Sequence, residues 1–325
     1  MSDPHVLCLG EVLFDCLADQ PGREFGEVDS WTPYPGGAPA NVACALVKLG
    51  TSAGFIGCVG TDAPGQQLVA LLRQTHVNVE GIQEHPQAPT RQVYVTRTLE
   101  GDRTFAGFGE YDTSAFADTQ LQADQLPPDL FARADFLILG TLELAYPQSA
   151  AAVQQALELA RQYQIQILID VNWRPVFWGD PEIARQVILH LIPAADYLKL
   201  AEEEALWLWN TTDPQQIAKQ LPQTKGVLIT AGEKGCTYCL QGVSGHHPGF
   251  VVDVVDTTGA GDAFVAGFIH QLRSVDPSTL DPESVEKMIA YASAVGALTT
   301  KKAGAIAAQP LADEVETFLR THIHP

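Results

Sequence analysis

The sequence predicts an α/β protein: a three-layer α/β/α arrangement around a doubly wound, mostly parallel sheet, with a small β-sheet lid. Three observations predict it. Near-continuous apolar β-type runs alternate with segments of helical period through most of the length, a pattern that builds a parallel sheet covered on both faces. Two segments, 12–35 and 88–111, interrupt the alternation with short strands and turns. The stretch "DVVDTTGAGDAFVAGFI" (253–269) joins a β-type run to a helix-type run through a corner of small residues.

The β-type runs fall in order at 5–11, 53–60, 135–141, 165–171, 196–200 and 226–232, and helical period occupies 39–49, 64–75, 147–163, 181–191 and 202–209. "FVVDVVD" (250–256) is a further strand. Beyond it Phe264, Phe268 and Leu272 share one helical face, widened by Val265 and Ile269. A long helix rich in small residues follows, then a tight glycine-containing loop and a last helix at 311–321. Among the interruptions, "QVYVTRTLEGDRTFAGF" is a hairpin turning at Glu100-Gly101-Asp102. We expect one domain over 1–325, its two insertions forming a small sheet over one edge of the main one. That sheet is either a lid or a peripheral decoration.

Charge narrows the partners. Lys plus Arg number 19 against 39 Asp plus Glu, a formal net charge of −20. Such a surface repels phosphate backbones and anionic lipid, so no nucleic acid and no membrane partner is expected. An anionic ligand needs a local device, a helix N-terminus or a metal ion. No apolar run approaches the roughly 18 residues of a membrane span, and the first residues lack the basic region of a secretory signal. Cys8, Cys16, Cys44 and Cys58 lie in apolar runs. They read as reduced, buried thiols of a cytoplasmic protein. Cys236 and Cys239 form C-x-x-C with His246 and His247 after them. A zinc or redox pair competes there with ordinary strand cysteines, and residues three apart on a strand point to opposite faces.

The corner carries the chemistry. Where a strand ends and a helix begins, the free N–H groups of the first turn and the helix dipole make an anion site. Gly259, Ala260 and Gly261 leave it open to a phosphoryl group. Asp262 in that turn either stabilises the dipole or takes a proton from an attacking hydroxyl, as phosphoryl transfer requires. Other phosphate motifs are missing: there is no G-x-x-x-x-G-K-[ST], no G-x-G-x-x-G after the first strand, and no H-R-D with D-F-G.

"DTTGAGD" (256–262), together with "PGGAPANVACALVKLG" (35–50) and "FIGCVGTDAPGQQL" (55–68), resembles the signatures of the ribokinase-like sugar kinases, the PfkB family. The likeness runs from Leu9 to about Pro310, and "GGAPANVA" is most similar to fructokinases. The resemblance implies an ATP-dependent transfer to the 6-hydroxyl of D-fructose, with Asp262 as base and Gly259, Ala260 and Gly261 as anion hole. It implies sugar contacts at Asp15, Asn41, Glu143 and Arg174, the last in "DVNWRP", and a lid hinge at Gly36 and Gly37. It implies nucleotide contacts at Lys199, Thr230, Gly232, Gly235 and Ser293. It further implies Mg2+ held through water by Glu204, and a monovalent cation, K+, at Asp256 and Thr258 near the loop of Gly304. Asp256 is otherwise a carboxylate that anchors the turn. The sequence departs from the family at Ala201, where asparagine is usual, and at Gly109, where many fructokinases carry arginine. Ribose, ketodeoxygluconate or an aminoimidazole riboside are alternative acceptors, and a catalytically silent sugar- or nucleotide-binding relative is the rival of another class. Pairing of lid edges implies a homodimer.

Overall fold

The apolar run at 5–11 becomes strand β1 (Val6–Leu9), which lies between β4 (Ala53–Gly60) and β8 (Phe136–Leu139) and parallel to both. The structure is a computed structural model that describes residues 3–99, 103–275 and 280–322. The remaining strands are β2 (Leu13–Ala18), β3 (Trp31–Gly36), β5 (Asn78–His85), β6 (Gln92–Arg97), β7 (Arg103–Gly107), β9 (Gln166–Asp170), β10 (Tyr197–Ala201), β11 (Gly226–Thr230), β12 (Cys236–Leu240) and β13 (Val243–His247). The helices are α1 (Ala38–Lys48), α2 (Ala63–Gln74), α3 (Pro128–Phe131), α4 (Pro147–Tyr163), α5 (Pro181–Leu191), α6 (Glu202–Trp209), α7 (Pro214–Gln220), α8 (Ala260–Leu272), α9 (Pro282–Thr299), α10 (Ala305–Ala308) and α11 (Ala312–His322).

The main sheet has nine strands in the order β13-β12-β11-β10-β9-β8-β1-β4-β5. Its seven strands from β11 to β5 are parallel, and β12 and β13 extend the β11 edge by antiparallel pairing. Successive side chains of a strand point to opposite faces, so β1 feeds two cores. Val6 and Cys8 pack with α1, α2, α8, α9 and α11, whereas Leu7 and Leu9 pack with α3, α4, α5, α6 and α7. This is why the central strands read as unbroken apolar runs: all eight residues of β4 are buried. Among the described residues no helix is long and apolar enough to cross a membrane.

The two interrupting segments form a separate four-stranded sheet of order β3-β2-β6-β7. Its root is pinned by Arg91, 1% exposed, whose guanidinium pairs with Asp118 under the rings of Phe108, Phe116 and Phe177. Burying that charge is tolerable only because the carboxylate takes two of its N–H groups. The hairpin of β6 and β7 has the expected partners, but its turn at 100–102 lies outside the described residues.

One expected strand is absent. Residues 250–256 run without regular secondary structure outside the sheet, with Val251 94%, Val254 59% and Val255 66% exposed. After β13 the segment leaves the sheet to reach the start of α8, and the outer edge of β13 stays unpaired among the described residues. Its anchor is local, the N–H groups of Val255 and Asp256 both donating to the carbonyl of Thr300. Strand β5 and helix α7 were not anticipated; their short, polar-rich sequences carry little periodic signal.

Candidate active site

Loops at the carboxyl ends of the parallel strands converge on one cavity of about 910 Å³, as ligand sites in open α/β sheets do. Its wall includes Asp15, Gly37, Asn41, Arg174, Lys199, Glu204, Thr230, Gly232, Thr258, Gly259, Gly261 and Asp262. Twelve of the residues singled out in the sequence thus meet there, from nearly the whole length of the chain.

The corner has the geometry its composition implied. Gly259 precedes α8 with φ +78°, and a Cβ on it would stand 2.8 Å from Cβ of Ala305. Both facts require glycine. Helix α8 therefore starts abruptly, and the first-turn N–H groups of Gly261 and Asp262 sit at the cavity wall, where the dipole favours an anion. Ala260 does not line the cavity; its N–H closes the turn onto Thr257.

Asp262 is half-buried on the first turn of α8, and its Oδ2 accepts from Nδ2 of Asn41 at 2.8 Å. Withdrawal from water pushes its pKa up to about 6, against the pull of Asn41. Asn41 is itself fixed: it is 4% exposed, its backbone carbonyl accepts from Gln309, and α1 packs on α8. Its Oδ1 is buried without a hydrogen-bond partner among the described residues. A hydroxyl donor in the cavity would satisfy it.

Beside this pair lies Asp15 on β2. Burial raises its pKa to about 6, opposed by Arg103 and Arg174. Gly36 makes room for it, since a Cβ there would stand 2.8 Å from Asp15 Oδ2. Gly37, at φ +101°, has Glu11 at its back, and a Cβ would meet the Glu11 carbonyl at 2.4 Å. Arg174 is exposed and lines the same cavity. Glu143 is not among the lining residues; it is 1% exposed and stands under Glu11. Glu11, which the sequence reading passed over, does line the cavity, and its Oε1 accepts the N–H of Ala38 at 2.7 Å. Its position in "GEVLFD", four residues before Asp15, was the available signal.

The other end is electrostatically denser. Lys199, 6% exposed, reaches both oxygens of Asp170 at 3.1 and 3.2 Å. Burial works against its charge, but Asp170 and Glu204 outweigh it and hold the pKa above the ordinary value. A Cβ on Gly261 would stand 3.2 Å from Lys199 Nζ, so the ammonium borders the anion corner. Glu204 caps its own helix: Oε2 accepts from Ala201 N–H and Oε1 from Trp173 N–H, both at 2.7 Å. Burial raises its pKa despite Lys199. Ala201, in the asparagine position, loses only a side chain, because the backbone N–H makes the bond. Asp170 was missed, although it opens the D-x-N-x-R stretch. Among the described residues no cluster of three or more His, Cys, Asp or Glu could cage a metal. The carboxylates of Glu204 and Asp170 suit a hard ion that keeps its own water and takes ligand phosphates, the habit of Mg2+.

Gly235 and Ser293 lie off the cavity wall. Gly235 is accounted for by its turn, with φ +91° and a Cβ position 2.0 Å from the His247 carbonyl. The Oγ of Ser293 is buried within α9 without a partner among the described residues. Asp256 and Thr258 are together, but Arg103 of β7 is with them: Nη2 donates to Asp256 Oδ2 at 2.8 Å and Nη1 to Thr258 Oγ1 at 2.6 Å. Cys236 and Cys239, on β12, are free thiols, and so are Cys8, Cys16, Cys44 and Cys58 elsewhere in the fold.

Known proteins share this architecture end to end. The model of the pfkB family carbohydrate kinases matches residues 3–312. A probable chloroplastic fructokinase-6 of Arabidopsis thaliana is 37% identical over 320 residues, covering 97% of this chain and 82% of that relative. A fructokinase of Xylella fastidiosa solved with bound ATP superposes with a TM-score of 0.87 at 29% identity, over 97% of this chain and 98% of the other. A double mutant of Vibrio cholerae fructokinase, solved with fructose, ADP and potassium ion, gives 0.83 at 26% identity, over 98% and 100%. With both signatures converging on one cavity and the family model spanning almost every residue, the chain belongs to the pfkB family of carbohydrate kinases.

Proposed function

We propose that the protein is a fructokinase, transferring the γ-phosphate of ATP to the 6-hydroxyl of D-fructose to give fructose 6-phosphate and ADP. The observation that carries this is the Asn41–Asp262 pair at the open N-terminus of α8. It sets a carboxylate with a raised pKa beside anion-binding N–H groups, in one cavity with Asp15 and Arg174. Asp15, Asn41 and Arg174 orient the sugar hydroxyls. Asp262 accepts the proton of the primary hydroxyl as its oxygen attacks phosphorus. The first-turn N–H groups of α8 and the Lys199 ammonium receive the charge that develops on the phosphoryl oxygens. Mg2+, when bound at Glu204 and Asp170, supplies charge neutralisation of the polyphosphate. The small sheet acts as a lid, excluding water so that ATP is not hydrolysed.

A second acceptor class, a related ketose or a riboside, is favoured by one feature. Gly109 adopts φ +69° and a Cβ on it would press Tyr94 at 3.3 Å. The arginine many fructokinases carry there is therefore replaced by a residue chosen for the backbone. We also propose a homodimer and a reducing, cytoplasmic setting, the latter supported by six free thiols. Of the small sheet's two edges, β3 contains Pro33 and Pro35, which offer no N–H, so β7 is the edge open to pairing. An ADP-release assay with fructose, ribose, adenosine and ketodeoxygluconate tests the reaction. Turnover with fructose above the others supports the proposal, and ATP binding without turnover on any sugar replaces it with a silent relative. Size-exclusion chromatography of the purified chain tests the dimer.

A further inference from the structure

The carboxylate of Asp256 is the corner's second acid, and its surroundings are fully spoken for. Oδ1 accepts the N–H of Thr258 at 3.0 Å and its hydroxyl at 2.7 Å. Oδ2 accepts the N–H of Gly304 at 3.0 Å and Nη2 of Arg103 at 2.8 Å. A carboxylate offers about four lone-pair sites, and four donors fill them. The second guanidinium nitrogen occupies Thr258 Oγ1. The family resemblance implies a monovalent cation at these residues, yet as arranged they do not fit one. Asp256 has no lone pair left to ligate it, Gly304 presents its N–H, and the positive charge the site needs is already there.

That charge arrives from elsewhere in the fold. Arg103 is the first residue of β7, on the small sheet, while Asp256 and Thr258 belong to the corner that opens α8. The Asp256 side chain is 7% exposed and that of Arg103 42%. A nearly buried carboxylate is costly without a partner. With the small sheet seated, Arg103 is that partner, and if the sheet lifts the acid is left uncompensated beside the anion site.

Resting on the kinase reading above, we propose that Arg103 takes the place of a monovalent cation at the Asp256–Thr258 corner. Turnover is then independent of K+, and the corner is charge-balanced by the seated small sheet itself. Arg103 is a positioning residue: it holds Thr258 and Asp256, and through them Gly259 and the start of α8. A bound K+ and the seated guanidinium exclude one another, so removing the guanidinium opens the site to the ion.

The test compares the full-length wild type, Arg103→Ala and Arg103→Lys in about 100 mM tetramethylammonium chloride or KCl, a strength that fixes screening across samples. It reads kcat and KM for ATP with fructose, and separately Tm without substrates. The wild type should change by less than about twofold in kcat/KM between the salts, with Tm unmoved. Arg103→Ala should lose about tenfold in tetramethylammonium and regain most of it in KCl, its Tm rising by about 2 °C with K+. Arg103→Lys, which keeps the charge without the two-pronged geometry, should fall between. A wild type that needs K+ by more than about fivefold, or an Arg103→Ala that ignores K+ in both measurements, overturns the proposal. If no sugar is phosphorylated the kinase reading fails, and the Tm comparison still decides the role of Arg103.

Discussion

Asn41 and Asp262 are 221 positions apart and joined by a 2.8 Å hydrogen bond that ties α1 to α8 across the cavity. The bond does two things at once. It engages one carboxylate oxygen, Oδ2, leaving Oδ1 outside the bond, and it opposes the rise in pKa caused by burial. Asp262→Asn keeps the shape and removes the base. We expect kcat to fall by about a thousandfold or more while sugar binding, measured by calorimetry, survives. Near-normal turnover of this variant would remove Asp262 from the mechanism.

The pH profile should carry the same signature. A base must be ionised to act, and Asp262 in the free protein has a pKa of about 6. The rate constant kcat/KM should therefore rise with pH and level off above about 7, with an inflection near 6 rather than near 4. Asn41→Ala removes a group that lowers this pKa, so its inflection should move to higher pH. An unmoved inflection in that variant would mean that another group titrates.

Gly259 sits where strain and contact both forbid a side chain. Gly259→Ala places a Cβ 2.8 Å from Ala305 Cβ at φ +78°, which should cost about 1–3 kcal/mol. Ala305→Gly relieves only the contact. The double variant should thus recover part of the stability in urea unfolding, the strain of the backbone remaining. Full recovery would show that φ at 259 carries no cost.

Lys199 and Asp170 are a buried pair whose members depend on one another. Lys199→Met should destabilise by about 3–5 kcal/mol, because Asp170 is left charged and dry. Adding Asp170→Asn should restore much of that loss, and turnover should stay low in both, since the ammonium beside Gly261 is gone. Equal stability of the single and double variants in denaturant titration would argue against the pairing.

How much of this the sequence disclosed follows from the range of the forces involved. The corner, α1 and the β1 and β9 loops were legible because glycine at positive φ, a helix start and an unbroken apolar run are local properties. Arg103 was not, since its partners lie 153 and 155 positions away and a lone arginine in a hairpin looks like any exposed one. The run at 250–256 misled for a related reason. Its valines have the composition of a strand, but the chain there must cross to α8, and the N–H groups of Val255 and Asp256 go to the Thr300 carbonyl instead of a strand. Glu143 is expected at the sugar only through the family resemblance; packing puts Glu11, not Glu143, on the cavity wall.

That placement leads to a last prediction. Glu11 and Glu143 are 5% and 1% exposed and lie side by side, and among the described residues no cation pairs with Glu143. Burial raises Glu11 to about 7 despite the N–H of Ala38, and burial together with Glu11 drives Glu143 well above the ordinary range. Two dry carboxyls side by side retain a proton that the unfolded chain releases. From about pH 4.5 upward, and on past 7, the folded state then binds more protons than the unfolded one, so stability falls as pH rises. Glu143→Gln supplies a permanent donor to Glu11 and removes the titration. Its Tm should match the wild type near pH 5 and exceed it near pH 8, by a few degrees. Parallel Tm curves for the two proteins across this range would show that the pair is not protonated, and that Glu143 is stabilised by something other than its neighbour.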